Sequence, residues 1–184
     1  MAYTFLHAAE IKAAVDRIAR QICREFHGQD IVLVGLLRGG FMFLTDLAVA
    51  IETQEMQDSD YHVRTCAVEF MKVSSYGDGR ESGVVKIDLD LQSSVEGKIV
   101  ILVDDVADTL KTLESVLRHV AEKKPRTVRI AVMISKPDKH ERTLVLDYVG
   151  FERVNAGFLF GYGMDLAGAH RGLPYIAVAE PQDN

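Results

Sequence analysis

Residues 99–103, Ile-Val-Ile-Leu-Val, run directly into Asp104-Asp105-Val106-Ala107-Asp108-Thr109-Leu110-Lys111-Thr112, and no other stretch restricts the fold as much. Five consecutive apolar residues read as a strand buried on both faces, the habit of parallel sheets. A helical pattern follows, with Leu113, Val116, Leu117 and Val120 on one face. The junction therefore sets acids and a helix N-terminus at the carboxyl end of a strand, where open α/β sheets bind ligands. Free N–H groups at a helix start suit a phosphate, and carboxylates suit a sugar or a metal ion. A plainer reading makes Asp108 and Thr109 capping residues on a solvated loop. It does not explain Asp104 and Asp105, adjacent like charges on an apolar strand that repel unless a cation or hydroxyl groups offset them.

The remaining pattern alternates helices and strands. Ile11, Val15, Ile18, Ile22 and Phe26 share a helical face, and Gly28 stops that helix. Residues 31–36 read as a strand, Arg38-Gly39-Gly40 as a turn, and residues 41–51 as a second helix. Strands are expected at 64–70, 84–87, 127–134, 147–151, 158–162 and 175–179, with a mobile loop rich in Ser, Gly and Asp over 73–83. Such alternation predicts a parallel α/β sheet, although the last strands lack intervening helices.

With 184 residues, the chain is long enough for one domain with a sizeable core. A formal net charge of -6 and no long basic run argue against a nucleic-acid partner. Cys23 and Cys66 lie far apart without metal-ligand spacing, as free thiols of a reducing cytosol do. No basic-then-apolar leader opens the sequence, and no apolar run reaches spanning length. A cytoplasmic protein without a membrane partner is the expectation.

Five segments, in order, resemble type I phosphoribosyltransferases, and among them the hypoxanthine-guanine group. The strand and Asp-Asp-Val-Ala-Asp-Thr-Leu-Lys-Thr resemble that family's phosphoribosyl pyrophosphate motif. Leu36-Leu37-Arg38-Gly39-Gly40-Phe41 resembles its pyrophosphate loop, and Ser74-Ser75-Tyr76-Gly77 its mobile active-site loop, with 70–86 as the moving segment. Lys136-Pro137 and Gly161-Tyr162-Gly163-Met164-Asp165 resemble its purine-binding segments. The resemblance implies a central, mostly parallel sheet flanked by helices, with a small hood. It implies a single domain over 1–184, its core roughly 28–150 and its hood from the N-terminal segment and roughly 151–184.

It also implies a reaction: Mg²⁺-dependent transfer of a phosphoribosyl group from phosphoribosyl pyrophosphate to hypoxanthine or guanine, by a homodimer or homotetramer. Asp104 and Asp105 would bind the ribose hydroxyls and Mg²⁺, since ionised carboxylates only accept hydrogen bonds. Asp108 would be the general base near purine N7. Thr109, Leu110, Lys111 and Thr112 would wrap the 5′-phosphate. Arg38 and Gly39 would bind pyrophosphate, with a cis peptide before Arg38 as relatives often have. Ser75 and Tyr76 would close over the reacting groups. Lys136 would donate to the purine 6-oxo group, Phe158 would stack on the ring, and Leu159 would offer its backbone to the base edge. Asp165 would hold a second Mg²⁺, and Arg171 the growing charge of pyrophosphate. The family has Gly, sometimes Ala, where this chain has Leu110; pointing outward, that side chain would leave the backbone contacts intact. Three rivals are a xanthine-preferring enzyme of the same fold, a non-catalytic regulator that binds RNA or DNA, and a bare Mg²⁺-nucleotide-binding module. The acidic balance opposes the second, and Lys136, Phe158 and Asp165 together oppose the third.

Overall fold

The computed structural model describes residues 2–57, 61–75, 85–153 and 157–179. The elements in order are β1 (Ala2–Leu6), α1 (Ala8–Glu25), β2 (Asp30–Leu37), α2 (Phe41–Gln57), β3 (Thr65–Ser75) and β4 (Val85–Leu89). Then come β5 (Ile99–Ala107), α3 (Lys111–Glu122), β6 (Thr127–Ser135), a 3₁₀ turn (Pro137–Lys139), β7 (Tyr148–Glu152), β8 (Phe158–Phe160) and β9 (Ile176–Ala179). The large sheet has the order β4-β3-β2-β5-β6-β7, and only β4 runs antiparallel to its neighbour. This is the central, mostly parallel sheet expected.

Alternation along the central strands sends side chains to two cores. Ile31 and Leu33 of β2, and Ile99, Ile101 and Val103 of β5, join the layer formed with α1 and α2. Val32 and Val34, with Val100 and Leu102, face the layer that holds Leu113, Val116 and Val120 of α3. Each such side chain contributes about 1.5–3 kcal/mol on burial, so β2 and β5 are the most firmly anchored strands. The smaller sheet, β1-β9-β8, is antiparallel and joins both chain ends.

Several boundaries differ from the sequence reading, among them the end of α2, which runs to Gln57 and not 51. β1 is a strand where none was expected, because its partner β9 lies at the far end of the chain. β3 runs on to Ser75, pairing with β4 through the start of the expected loop. β5 continues through Asp104, Asp105 and Val106 to Ala107, since β6 keeps pairing with it there. The rest of the expected loop, with Tyr76, lies outside the described residues.

Candidate active site

The chain leaves β2 toward β3 on one side and later returns to place β5 on the other. The sheet's topological switch point therefore lies between β2 and β5, and a crevice opens at their carboxyl ends. β2 pairs with β5 as far as Gly35 and Val103, then turns away at Arg38 through a cis Leu37–Arg38 peptide. The last residues of β5 thus lose their neighbour on that side. A cleft of about 670 Å³ fills the gap.

Eleven of the residues singled out above line this cleft: Arg38, Gly39, Asp104, Asp105, Asp108, Thr112, Lys136, Phe158, Leu159, Asp165 and Arg171. A Cβ at Gly39 would collide with the Asp105 carboxylate, and one at Gly163 with the Gly39 carbonyl. Glycine at these two positions lets the β2 turn, the β5 acids and the 161–165 turn stack against one another. Arg171 clamps the outer part, donating to the Gly163 carbonyl (2.7 Å) and to Asp165 Oδ1 (2.5 Å). The Gly168 N–H donates to the other Asp165 oxygen at 2.8 Å. On the opposite wall the Lys136 ammonium lies 3.4 Å from Asp108 Oδ2 and 3.3 Å from the Gly157 carbonyl. Lys136 is only 8% exposed, so it is not a solvated surface charge. Phe158 is 58% exposed at the cleft and Phe160 is buried, so only Phe160 is a core ring.

Asp104 and Asp105 keep part of their surface on the cleft and are enclosed by protein elsewhere. Asp104 Oδ1 accepts the Asp105 N–H at 3.0 Å, and Asp105 Oδ1 accepts the Val106 N–H at 2.8 Å. Burial, and then the charge of Asp105, pushes the Asp104 carboxyl well above the usual range. Burial raises Asp105 too, against hydrogen bonds from Asp104 and Val106 and the charge of Arg171. A carboxyl with a raised folded pKa lends stability below its unfolded value of about 3.9 and loses it as pH climbs through the folded value. The ion-free pair therefore destabilises the fold at neutral pH. Asp104→Asn is expected to raise the melting temperature by a few degrees near pH 7.5 without Mg²⁺, a gain that vanishes near pH 4. Thermal melts at the two pH values check this; equal or lower stability of the variant at both contradicts it.

Leu110 corrects an expectation. It does not point outward: it is 3% exposed and packs in the core layer of α3. It stands at the N-cap of α3 in the left-handed region, with φ 68°. That conformation costs a non-glycine residue about 1–2 kcal/mol, and the buried side chain offsets the cost. Neither Asp108 nor Thr109 caps the helix, so the plainer capping reading also fails. Leu110→Gly relieves the backbone but removes a buried leucine, a loss of about 2–5 kcal/mol. Burial wins, so the melting temperature should fall by several degrees. The backbone N–H groups remain, so the donor KM should stay within about threefold of its parent value. An unchanged melting temperature in calorimetry would contradict this.

Thr109, Leu110 and Lys111 do not line the cleft wall. The Thr109 carbonyl accepts the Glu141 N–H at 3.2 Å, and the Lys111 ammonium pairs with Glu141 at 2.6 Å. Ser75 ends β3, next to the undescribed segment. Sequence reading passed over Lys72 and Asp88, which also line the cleft. Carrying the 64–70 strand two residues further would have brought Lys72 beside Leu37.

A mostly parallel sheet with acids, a glycine turn and a buried lysine around its switch point is an α/β domain with a ligand cleft at the carboxyl ends of its strands. The chain belongs to the phosphoribosyl transferase family, whose domain model matches residues 3–166. The hypoxanthine-guanine phosphoribosyltransferase of Aquifex aeolicus is 38% identical over 95% of this chain and 93% of its own length. The bifunctional protein TilS/HprT of Listeria innocua is 35% identical over 94% of this chain, which spans only 25% of that longer relative. Among solved structures, a hypoxanthine phosphoribosyltransferase from Staphylococcus aureus superposes with TM-score 0.86 at 32% identity, covering 97% of this chain and 91% of the other. The Trypanosoma cruzi hypoxanthine phosphoribosyltransferase in complex with the product IMP gives TM-score 0.84 at 30% identity, covering 98% and 95%.

Proposed function

We propose that this chain transfers the 5-phosphoribosyl group from phosphoribosyl pyrophosphate to N9 of hypoxanthine or guanine, giving IMP or GMP and pyrophosphate. One observation carries the reading: the β5 acids, the Arg38–Gly39 turn, the Lys136–Asp108 pair beside Phe158, and the Asp165–Arg171 pair all face one cleft. The similar enzyme bound to IMP supports the product.

As N9 bonds to ribose C1, the bond from C1 to pyrophosphate breaks through an oxocarbenium-like state, and the N7 proton passes to Asp108. Asp104 and Asp105 accept from the ribose hydroxyls. Backbone N–H groups from Thr109 to Thr112 hold the 5′-phosphate at the start of α3. Arg38, Gly39 and Arg171 meet the charge that grows on the leaving group. Lys136 donates to the 6-oxo group, so adenine, whose 6-amino group is itself a donor, is rejected. Phe158 stacks on the ring, worth about 1–3 kcal/mol by analogy with base stacking, and the Leu159 backbone reads the base edge.

The donor set fits Mg²⁺. Asp104, Asp105 and, separately, Asp165 offer only oxygens, and among the described residues no three such side chains gather into an ion cage. Mg²⁺ favours one or two carboxylates completed by substrate oxygens and water. When bound, it would neutralise the charge of donor and pyrophosphate. The same reading takes the whole chain as one domain, with 28–150 as core and the β1-β9-β8 sheet as hood. It places the protein in the cytoplasm; among the described residues no helix is long and apolar enough to cross a membrane. It also takes the protein as a homodimer or homotetramer. Val68 and Phe70, 42% and 40% exposed on one face of β3, are apolar surface that a second copy would cover.

The test is nucleotide formation from phosphoribosyl pyrophosphate, Mg²⁺ and each of hypoxanthine, guanine, xanthine and adenine. Turnover with hypoxanthine or guanine and none with adenine is expected. No turnover with any base overturns the reading, and turnover with xanthine alone moves it to the xanthine-preferring enzyme.

A further inference from the structure

Lys72, Ser74 and Asp88 face the cleft but have no part in the reaction just described. Lys72 pairs with Leu37 across the β2–β3 ladder, so its backbone adjoins the residue that precedes Arg38 and Gly39. Neighbouring strands stand about 4.8 Å apart, which puts the long lysine side chain within reach of whatever the Arg38–Gly39 turn binds. The Lys72 side chain is 48% exposed, and its ammonium lies 3.7 Å from Asp88 Oδ2. Asp88 Oδ1 lies 3.3 Å from the ammonium of Lys86, itself 60% exposed. The Ser74 hydroxyl donates to the same carboxylate. Among the described residues, two ammonium groups thus share one carboxylate.

A half-exposed pair at that distance is weakly held, so Lys72 is easily drawn to a stronger anion. Among the described residues, the other cations beside the turn are Arg38 and Arg171, and Arg171 is already engaged with Asp165 and the Gly163 carbonyl. A diphosphate is a polyanion, so a further cation at this edge adds to what Arg38, Arg171 and Mg²⁺ would neutralise. We propose that Lys72 binds the pyrophosphate group of the donor, and that Asp88 is the counter-ion holding Lys72 at the cleft edge while the donor is absent. The inference rests on the phosphoribosyl-transfer reading and adds a residue to its donor site. The hydrogen bond from Ser74 and the neighbouring lysines hold the Asp88 carboxyl below its usual range, so the counter-ion stays charged at working pH.

The two partners have opposite expected effects. In calorimetric titrations of the full chain with pyrophosphate and Mg²⁺ at low salt, Lys72→Gln should weaken binding roughly 5- to 20-fold. Asp88→Asn should tighten it by about two- to threefold, because it frees Lys72. Lys86→Gln, which alters the same carboxylate from outside the cleft wall, should stay within about twofold. In turnover assays Lys72→Gln should raise the donor KM and leave the purine KM unchanged, and Lys72→Arg should restore most of the loss. Unchanged pyrophosphate affinity in Lys72→Gln, or equal weakening in Lys72→Gln and Asp88→Asn, overturns the proposal; the second result would mean that the cluster only braces the hairpin. Failure of the parent protein to bind pyrophosphate or to turn over would instead overturn the phosphoribosyl-transfer reading.

Discussion

Asp108→Asn is expected to lower turnover by about 10²–10⁴-fold, the usual worth of a general base, and to shift donor affinity by less than about threefold. The substitution keeps the shape of the side chain and removes its capacity to take a proton. The Asn oxygen can still face the Lys136 ammonium, which lies 3.4 Å from the carboxylate, so the wall of the cleft should survive. In the proposed reaction the 5′-phosphate and pyrophosphate are held elsewhere, at the start of α3 and the turn after β2, so the donor should bind nearly as before. Steady-state kinetics, together with direct titration of phosphoribosyl pyrophosphate and Mg²⁺, separate the two quantities. Equal loss of turnover and donor binding would make Asp108 a binding residue only.

Arg171→Met is the second large effect. The guanidinium spans the Gly163 carbonyl and Asp165 Oδ1, so it both fixes the 161–171 turn and brings a positive charge to the cleft. Removal of one preorganised electrostatic partner costs about 10²–10³ in kcat. It also strips Asp165 of its ion pair, which should lower the melting temperature modestly. Arg171→Lys keeps the charge but lacks the planar fork needed to make both contacts, so it should recover only part of the rate. The decisive comparison is kcat measured well below the melting temperature of each variant. If stability falls while kcat holds, Arg171 is a clamp for the turn and nothing more.

Particular residues show what the sequence made legible. The β5–α3 junction was readable because a buried parallel strand needs a continuous apolar run, and acids following it at once have few structural excuses. The Arg38–Gly39 turn and Lys136 carry little signal singly; they became readable through resemblance, as five segments in one order. Lys136 by itself suggests a solvated charge, and its burial depends on Asp108 and the Gly157 carbonyl, distant in sequence. Leu110 could not be read correctly. A left-handed residue turns its side chain off the helical period, so no pattern announces that it faces the core. β1 escaped for a related reason: a five-residue strand that depends on β9 has no local signature of its own. Lys72 and Asp88 were hidden by ending β3 at Phe70, which concealed the register that brings Lys72 to Leu37.

In the proposed reaction this cleft couples purine attack on ribose to the departure of pyrophosphate. Pyrophosphate release measured continuously with phosphoribosyl pyrophosphate and Mg²⁺, before and after adding hypoxanthine, tests that coupling. Negligible release is expected until the purine is added, then one pyrophosphate for each IMP formed. Release at the same rate without any purine, or no release with hypoxanthine or guanine, would contradict it.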